Sequence, residues 1–215
     1  MIHLRVNSRT STSAPRRRDK TINSGGVFLR TVSRLVVAVL LTAPVAAAAQ
    51  DDDEAFSSDP LGTVPSEARS LIGALRPEFT LPDLTGQPRS ITDWNEDAVI
   101  LNFWATWCPP CRDEMPLLQS RHAQFSDAGL TVIGVAIDDA KAVADFVAEL
   151  ELDFPIVIGQ QDAFTVTRDY GNRLGALPYT VIIDRGGRIL DAHRGIVDAS
   201  LLDAWIEHHG LANTE

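Results

Sequence analysis

The chain's two cysteines, Cys108 and Cys111, lie three positions apart. In a chain of 215 residues a random pair would show that spacing about one time in a hundred, so the pairing asks for a reason. Across one helical turn two sulfurs can close into a disulfide and reopen with little movement. The segment Trp107-Cys-Pro-Pro-Cys111 follows an apolar run and opens a region of helical spacing. A helix N-terminus offers free N–H groups and positive dipole, which stabilise a thiolate. Cys108, at the expected exposed lip, is then the attacking nucleophile. Cys111, inside the first turn, is the resolving thiol. Pro109 and Pro110 carry no N–H. The thiolate of Cys108 therefore loses two potential donors, which predicts a reducing couple rather than a strongly oxidising one.

Other uses of the pair are weaker. Zinc needs about four ligands, and only scattered histidines (His3, His122, His193, His208, His209) accompany the two sulfurs. Cu(I) binding by two thiolates has thinner support. An inert structural disulfide closing so short a loop removes little chain entropy.

The elements that must position the pair are legible from apolar spacing. Residues 79–84 and 90–91, around Gly86, read as short extended pieces. Residues 98–104 form a nearly continuous apolar run, the mark of a strand covered on both faces. A helix is predicted from Pro110 to Phe125, kinked at Pro116. A second buried strand covers 130–137. A helix capped by Asp138 or Asp139 carries Val143, Phe146, Val147 and Leu150. Then come a short strand at 155–158, a short helix at 162–170 closed by Gly171, two strands at 179–183 and 188–193 across a Gly-rich turn, and a last helix from Asp198 to near Gly210. The order β-α-β-α-β-(α)-β-β-α predicts a mixed α/β sheet with helices on both faces and an N-terminal β extension.

Charge divides the chain. Residues 1–50 hold eight Lys/Arg against one acid, leaving 11 basic and 28 acidic residues in the remainder, a net of −17. Such a body repels phosphate backbones, which argues against nucleic-acid binding. Arg30 and Arg34 precede the apolar residues 35–49, which end in Ala-x-Ala frames. This reads as an export signal, with an uncleaved membrane tether through 35–49 as the alternative. The apolar run is shorter than the roughly 20 residues that span a bilayer. No cysteine directly follows it, so a lipoprotein is not indicated. The expected organisation is a signal or anchor at 1–50, an acidic flexible linker at 51–75 and a folded domain at 76–213.

Residues 99–116, Val-Ile-Leu-Asn-Phe-Trp-Ala-Thr-Trp-Cys-Pro-Pro-Cys-Arg-Asp-Glu-Met-Pro, resemble the TlpA/ResA-like branch of the thioredoxin superfamily. Two further stretches match in the same order: Pro77-Glu-Phe-Thr-Leu-Pro-Asp-Leu-Thr-Gly86 and Gly175-Ala-Leu-Pro-Tyr-Thr-Val-Ile-Ile-Asp184. The resemblance implies a thioredoxin-like fold and a thiol:disulfide oxidoreductase exported to the periplasm. Cys108 and Cys111 match the family's redox-active pair. Pro178 matches its cis-proline, which turns the backbone of Leu177 toward the site to pair with a substrate strand. Glu114 matches an acidic residue near the cysteines that moves protons; a solvated Glu in the first helical turn is the plainer alternative. Trp107 is expected beside the disulfide, shaping the docking surface, and Arg112 at the surface near the active thiol. Asn102 stands where thioredoxin itself has a buried Asp, so a proton relay here runs through Glu114 or water. His122 reads as a packed or surface histidine, and His208-His209 as a solvated helix end.

The resemblance further implies no organic cofactor beyond the redox-active disulfide, protein dithiol or disulfide substrates, a membrane thiol-electron carrier as reductant, and a monomer. Three other activities stay open: a copper chaperone or copper-site thiol reductase for a respiratory oxidase, a thiol peroxidase, and a disulfide donor, which the Pro-Pro pair disfavours. Apocytochrome c, a copper-site protein and damaged disulfides are all open as substrates.

Overall fold

Seven-residue runs of apolar and β-branched side chains make the two central strands. In the computed structural model, which describes residues 64–212, β3 (Ala98–Trp104) and β4 (Leu130–Ala136) are buried along their whole length. The preceding β1 (Thr80–Pro82) and β2 (Pro88–Ser90) form a two-stranded hairpin. Its turn is closed by Asp83, whose Oδ1 accepts from the Thr85 and Gln87 N–H groups at 2.8 and 3.0 Å, an Asx-turn. After β3 come α1 (Pro109–Phe125), β4, α2 (Ala140–Leu150), β5 (Ile156–Ile158), α3 (Gln161–Asp169), β6 (Tyr179–Ile183), β7 (Ile189–Arg194) and α4 (Ala199–His208).

The five strands β5-β4-β3-β6-β7 form one sheet. β3, β4 and β5 run parallel, joined by helical crossovers, while β6 and β7 are antiparallel additions. Alternation along β3 splits the interior in two. Ile100 and Trp104 face α1, α2 and α4, where Met115, Leu118, Val143, Phe146, Leu202 and Trp205 are buried with them. Val99, Leu101 and Phe103 face α3 and the N-terminal extension, with Phe79, Leu81, Ile91 and Trp94. Gly134 in β4 is required by close approach: a Cβ there would stand 2.9 Å from the Trp104 indole nitrogen. α1 runs through Pro116 without a break. Asp139 caps α2 by accepting two backbone N–H groups, and Asp198 caps α4 by accepting one.

The expected linker ended at residue 75, but its last part belongs to the body. The Gly73 N–H donates to the Ile189 carbonyl at 2.7 Å, the Ile189 N–H donates to Ala74, and Leu75 bridges Arg188. Ala68 is fully buried. The acidic composition concentrated at 51–54 masked apolar anchors further along. Having paired with β7, the chain crosses the sheet face, and Asp83 bridges Val157 on β5. Both edges of the five-stranded sheet are thereby partly covered, which blunts edge-to-edge association. Residues 1–63, including the expected signal or tether, lie outside the described residues. Among the described residues no helix is long and apolar enough to cross a membrane.

Candidate active site

β3 delivers Cys108 to the end of the sheet, where α1 begins. Cys108 is the N-cap of α1, and its sulfur accepts the Cys111 N–H at 3.3 Å. Pro109 and Pro110 occupy the first helical positions, where a missing N–H costs the helix nothing. Cys111 supplies the first N–H of the helix and the one backbone donor to the Cys108 sulfur among the described residues. The two residues form a disulfide, with Cα atoms 5.3 Å apart. Cys108 is more enclosed than the expected exposed lip. It is 5% accessible, against 0% for Cys111. Cys108 is thus the more accessible residue of the pair.

The turn before the pair is fixed by Asp138 at the end of β4. Its carboxylate accepts the Thr106 N–H at 2.9 Å and the Thr106 hydroxyl at 2.6 Å. Trp107 projects outward, 65% accessible, so it borders the site without packing into it. Arg112 lies over the Phe146 ring at 5.4 Å, and Pro109, Arg112, Pro116, Phe146 and Leu150 line a shallow groove beside the pair.

Antiparallel pairing brings two further loops to this end. Phe103 is opposite Tyr179, and Tyr179 is opposite Arg194. The residues before β6 and after β7 therefore lie level with the end of β3. The Leu177–Pro178 bond is cis. Pro178 is buried, and Leu177 packs against the cluster that contains both cysteines.

Glu114 is one helical turn past Cys111, on the same side of α1. It is not a solvated first-turn acid but is 1% accessible. Its carboxylate accepts the Asn102 amide at 2.7 Å and the Val197 N–H at 2.9 Å. The Asn102 amide also donates to the Thr180 hydroxyl at 3.0 Å. Burial raises the Glu114 carboxyl to about 7, although both hydrogen bonds pull the other way. No cation appears among these contacts.

Residues 72–192 match the AhpC/TSA family. The chain belongs to that family. Within the AhpC/TSA family it is a thioredoxin-fold thiol-disulfide oxidoreductase of the ResA/DsbE type. The chain is 38% identical over 119 residues to the thiol-disulfide oxidoreductase ResA of Geobacillus thermodenitrificans, covering 55% of this chain and 66% of that one, just under two thirds. It is 34% identical over 139 residues to ResA of Geobacillus kaustophilus, covering 64% and 75%. A crystal structure of a putative thiol:disulfide interchange protein DsbE from Chlorobium tepidum superposes with a TM-score of 0.58 at 29% identity, covering 64% of this chain and 96% of that one.

The structure thus brings Cys108, Cys111, Glu114, Leu177 and Pro178 to one end of the sheet, with Trp107 at the rim. Sequence reading missed Thr180, the Val197 N–H and Asp138 as supports, because each acts through residues far away in the chain. Among the histidines, His122 is half-buried and accepts the Val132 N–H at 3.4 Å, and burial lowers its pKa. His209 departs from the solvated helix end expected of it: its imidazole Nε2 lies 3.7 Å from Asp191. Among the described residues no group of three or more metal-ligating side chains is assembled.

Proposed function

We propose that the chain is an exported reductant that transfers two electrons from its Cys108/Cys111 dithiol to a disulfide in a partner protein. The observation that carries this reading is the N-cap geometry, in which the Cys108 sulfur receives one N–H, from Cys111, after two prolines that donate none. A thiolate with little hydrogen-bond support makes a more reducing couple. The Cys108 thiolate attacks one sulfur of the partner's disulfide. A bond forms between that sulfur and Cys108, and the partner's other sulfur leaves and takes up a proton. Cys111 then loses its proton, attacks Cys108 and frees the partner's second sulfur as a thiol. The partner gains two electrons and two protons, and the protein is left as the observed disulfide.

Glu114 then receives the Cys111 proton, a reading supported by its carboxyl being raised to about 7 and by its position one helical turn past Cys111. Re-reduction requires a dithiol donor, for which a membrane thiol-electron carrier fits an exported protein. No organic cofactor enters either step. The basic residues ahead of the apolar run 35–49 support export to the periplasm, through a cleaved signal or with a retained tether.

Trapping tests the reading. In Cys111→Ser the second attack is removed, so partners accumulate as mixed disulfides on Cys108 and are identified by mass spectrometry. Cells that trap nothing on a Cys108 which is otherwise reduced and reactive overturn it. So does a reduction potential near that of the strong oxidants, about −120 mV.

A further inference from the structure

The loop between α3 and β6 is built around Asn172, a fully buried side chain that the redox chemistry does not use. Its amide closes on the backbone of one residue from both sides. Nδ2 donates to the Ala176 carbonyl at 2.8 Å, and Oδ1 accepts the Ala176 N–H at 3.2 Å. Nδ2 also donates to the Thr167 hydroxyl of α3 at 3.2 Å. The Asn172 main chain is used as well, its N–H by the Thr167 carbonyl and its carbonyl by the Gly175 N–H. Every polar group of the residue is satisfied by the loop itself or by Thr167 of α3. Gly175 passes over the Phe164 ring with φ +64°, where a Cβ would collide with that ring.

The consequence falls on the neighbouring residues. Ala176 has both its N–H and its carbonyl occupied by Asn172. The Pro178 nitrogen has no hydrogen, and the Pro178 carbonyl accepts the Gly195 N–H at 2.9 Å. Between them, Leu177 has no backbone hydrogen bond to any described residue. Its N–H and carbonyl are one donor–acceptor pair, the unit that an extended strand adds to. Leu174, 71% accessible, and Trp107 supply apolar surface on two of the loops at this end of the sheet.

We propose that Asn172 is a positioning residue for protein clients: by tying off both polar groups of Ala176 it leaves Leu177 as the single backbone pair on which an extended, disulfide-bearing segment docks. The inference rests on the reductase reading above and assigns how that site selects its substrates. A small disulfide has no backbone to pair and gains nothing from Asn172. An extended peptide does.

The experiment compares two substrates of the full chain: an extended synthetic peptide with one internal disulfide, and dithiobis(nitrobenzoic acid). In Asn172→Ala the KM for the peptide rises about tenfold, the scale of one hydrogen bond lost or displaced, with kcat and the reduction potential little changed. The rate with the small disulfide falls far less. Thr167→Val, which removes one outer tie and leaves Ala176 bound, has a smaller effect on the peptide KM. Equal losses on both substrates overturn the proposal and leave the reductase reading intact. A wild-type protein that reduces neither substrate overturns both.

Amide exchange in the wild-type fold gives a second test that does not depend on how Asn172→Ala folds. The Ala176 N–H is protected, and the Leu177 N–H is not. When the peptide is held on Cys108 of Cys111→Ser, exchange at Leu177 slows about tenfold or more as its N–H becomes paired. A Leu177 amide that is already protected in the free protein, or that stays unprotected in the trapped complex, overturns the docking role.

Discussion

Two carboxylates are sealed inside this domain, and they are held by different elements. Asp191, in β7, accepts the Trp205 indole N–H at 2.8 Å and the Ala192 N–H at 2.7 Å, with the His209 imidazole 3.7 Å away. Two of these partners lie on α4 or just beyond its end, so the carboxylate fastens the last helix to the edge of the sheet. Glu114, in α1, receives an asparagine amide and a backbone N–H. Both are neutral, and burial outweighs them and lifts its carboxyl to about 7. The comparison teaches that burial alone does not give an acid its role. An acid held by an indole N–H beside an imidazole works as an anchor. One on the cysteine-bearing helix, a turn past Cys111, has its carboxyl lifted to about 7 by burial and can change charge near neutrality.

The largest expected effect tests the anchor. Trp205→Ala removes a fully buried indole and a donor to Asp191, and it costs about 3–5 kcal/mol in urea unfolding. The pH dependence of exchange in the remaining folded protein stays as in the wild type. A changed pH profile would erase the distinction between the two acids.

Next comes Glu114→Gln. A carboxyl raised from 4.5 to about 7 favours the protonated fold. Its contribution is complete below about 4.5 and is lost as pH rises through about 7, a change of about 3 kcal/mol. Urea midpoints of the wild type fall across that window, and those of Glu114→Gln do not. The same variant slows disulfide exchange about a hundredfold and removes the inflection near neutrality from its pH profile. An unchanged profile in Glu114→Gln would leave the proton role without support.

Asp191→Asn sharpens the comparison from the other side. It retains an acceptor for Trp205 but introduces an amide beside donors, with an expected loss of about 1–3 kcal/mol and no effect on exchange kinetics. The smallest effect is expected of His209→Gln, below about 1 kcal/mol by the same unfolding assay, because its Nε2 stands 3.7 Å from Asp191, beyond hydrogen-bond distance. A larger loss there than in Asp191→Asn would show that the imidazole, and not the indole, is the main fastening.

Much of this was readable in the chain. The apolar runs at 98–104 and 130–137 became the buried β3 and β4, within a residue of the expected ends. The Cys-x-x-Cys spacing, the two prolines and Asp198 are local signals, and local signals survive in sequence. The N-terminal boundary was misplaced because residues 64–75 gain their order from β7, more than a hundred positions later. Glu114 carried two readings because a helix-start Glu looks the same whether it meets water or Asn102. Asn172 carried no signal of its own in the sequence, because its double bond to Ala176 depends on a loop path that no periodicity records.

What the sequence determined by itself was chemical capability and order: a cysteine pair at a helix start, two prolines that offer Cys108 no N–H, and alternating strands and helices able to bury a core. These follow from side-chain type and from spacing within a turn or a strand. What the tertiary structure decided was environment. Packing β3 between β4 and β6 set Glu114 against Asn102 and Val197. It brought Leu177 level with the cysteines and gave Asp191 the partners from α4. A residue's charge state and role depend on what excludes water from it, and those neighbours meet only after the strands have paired.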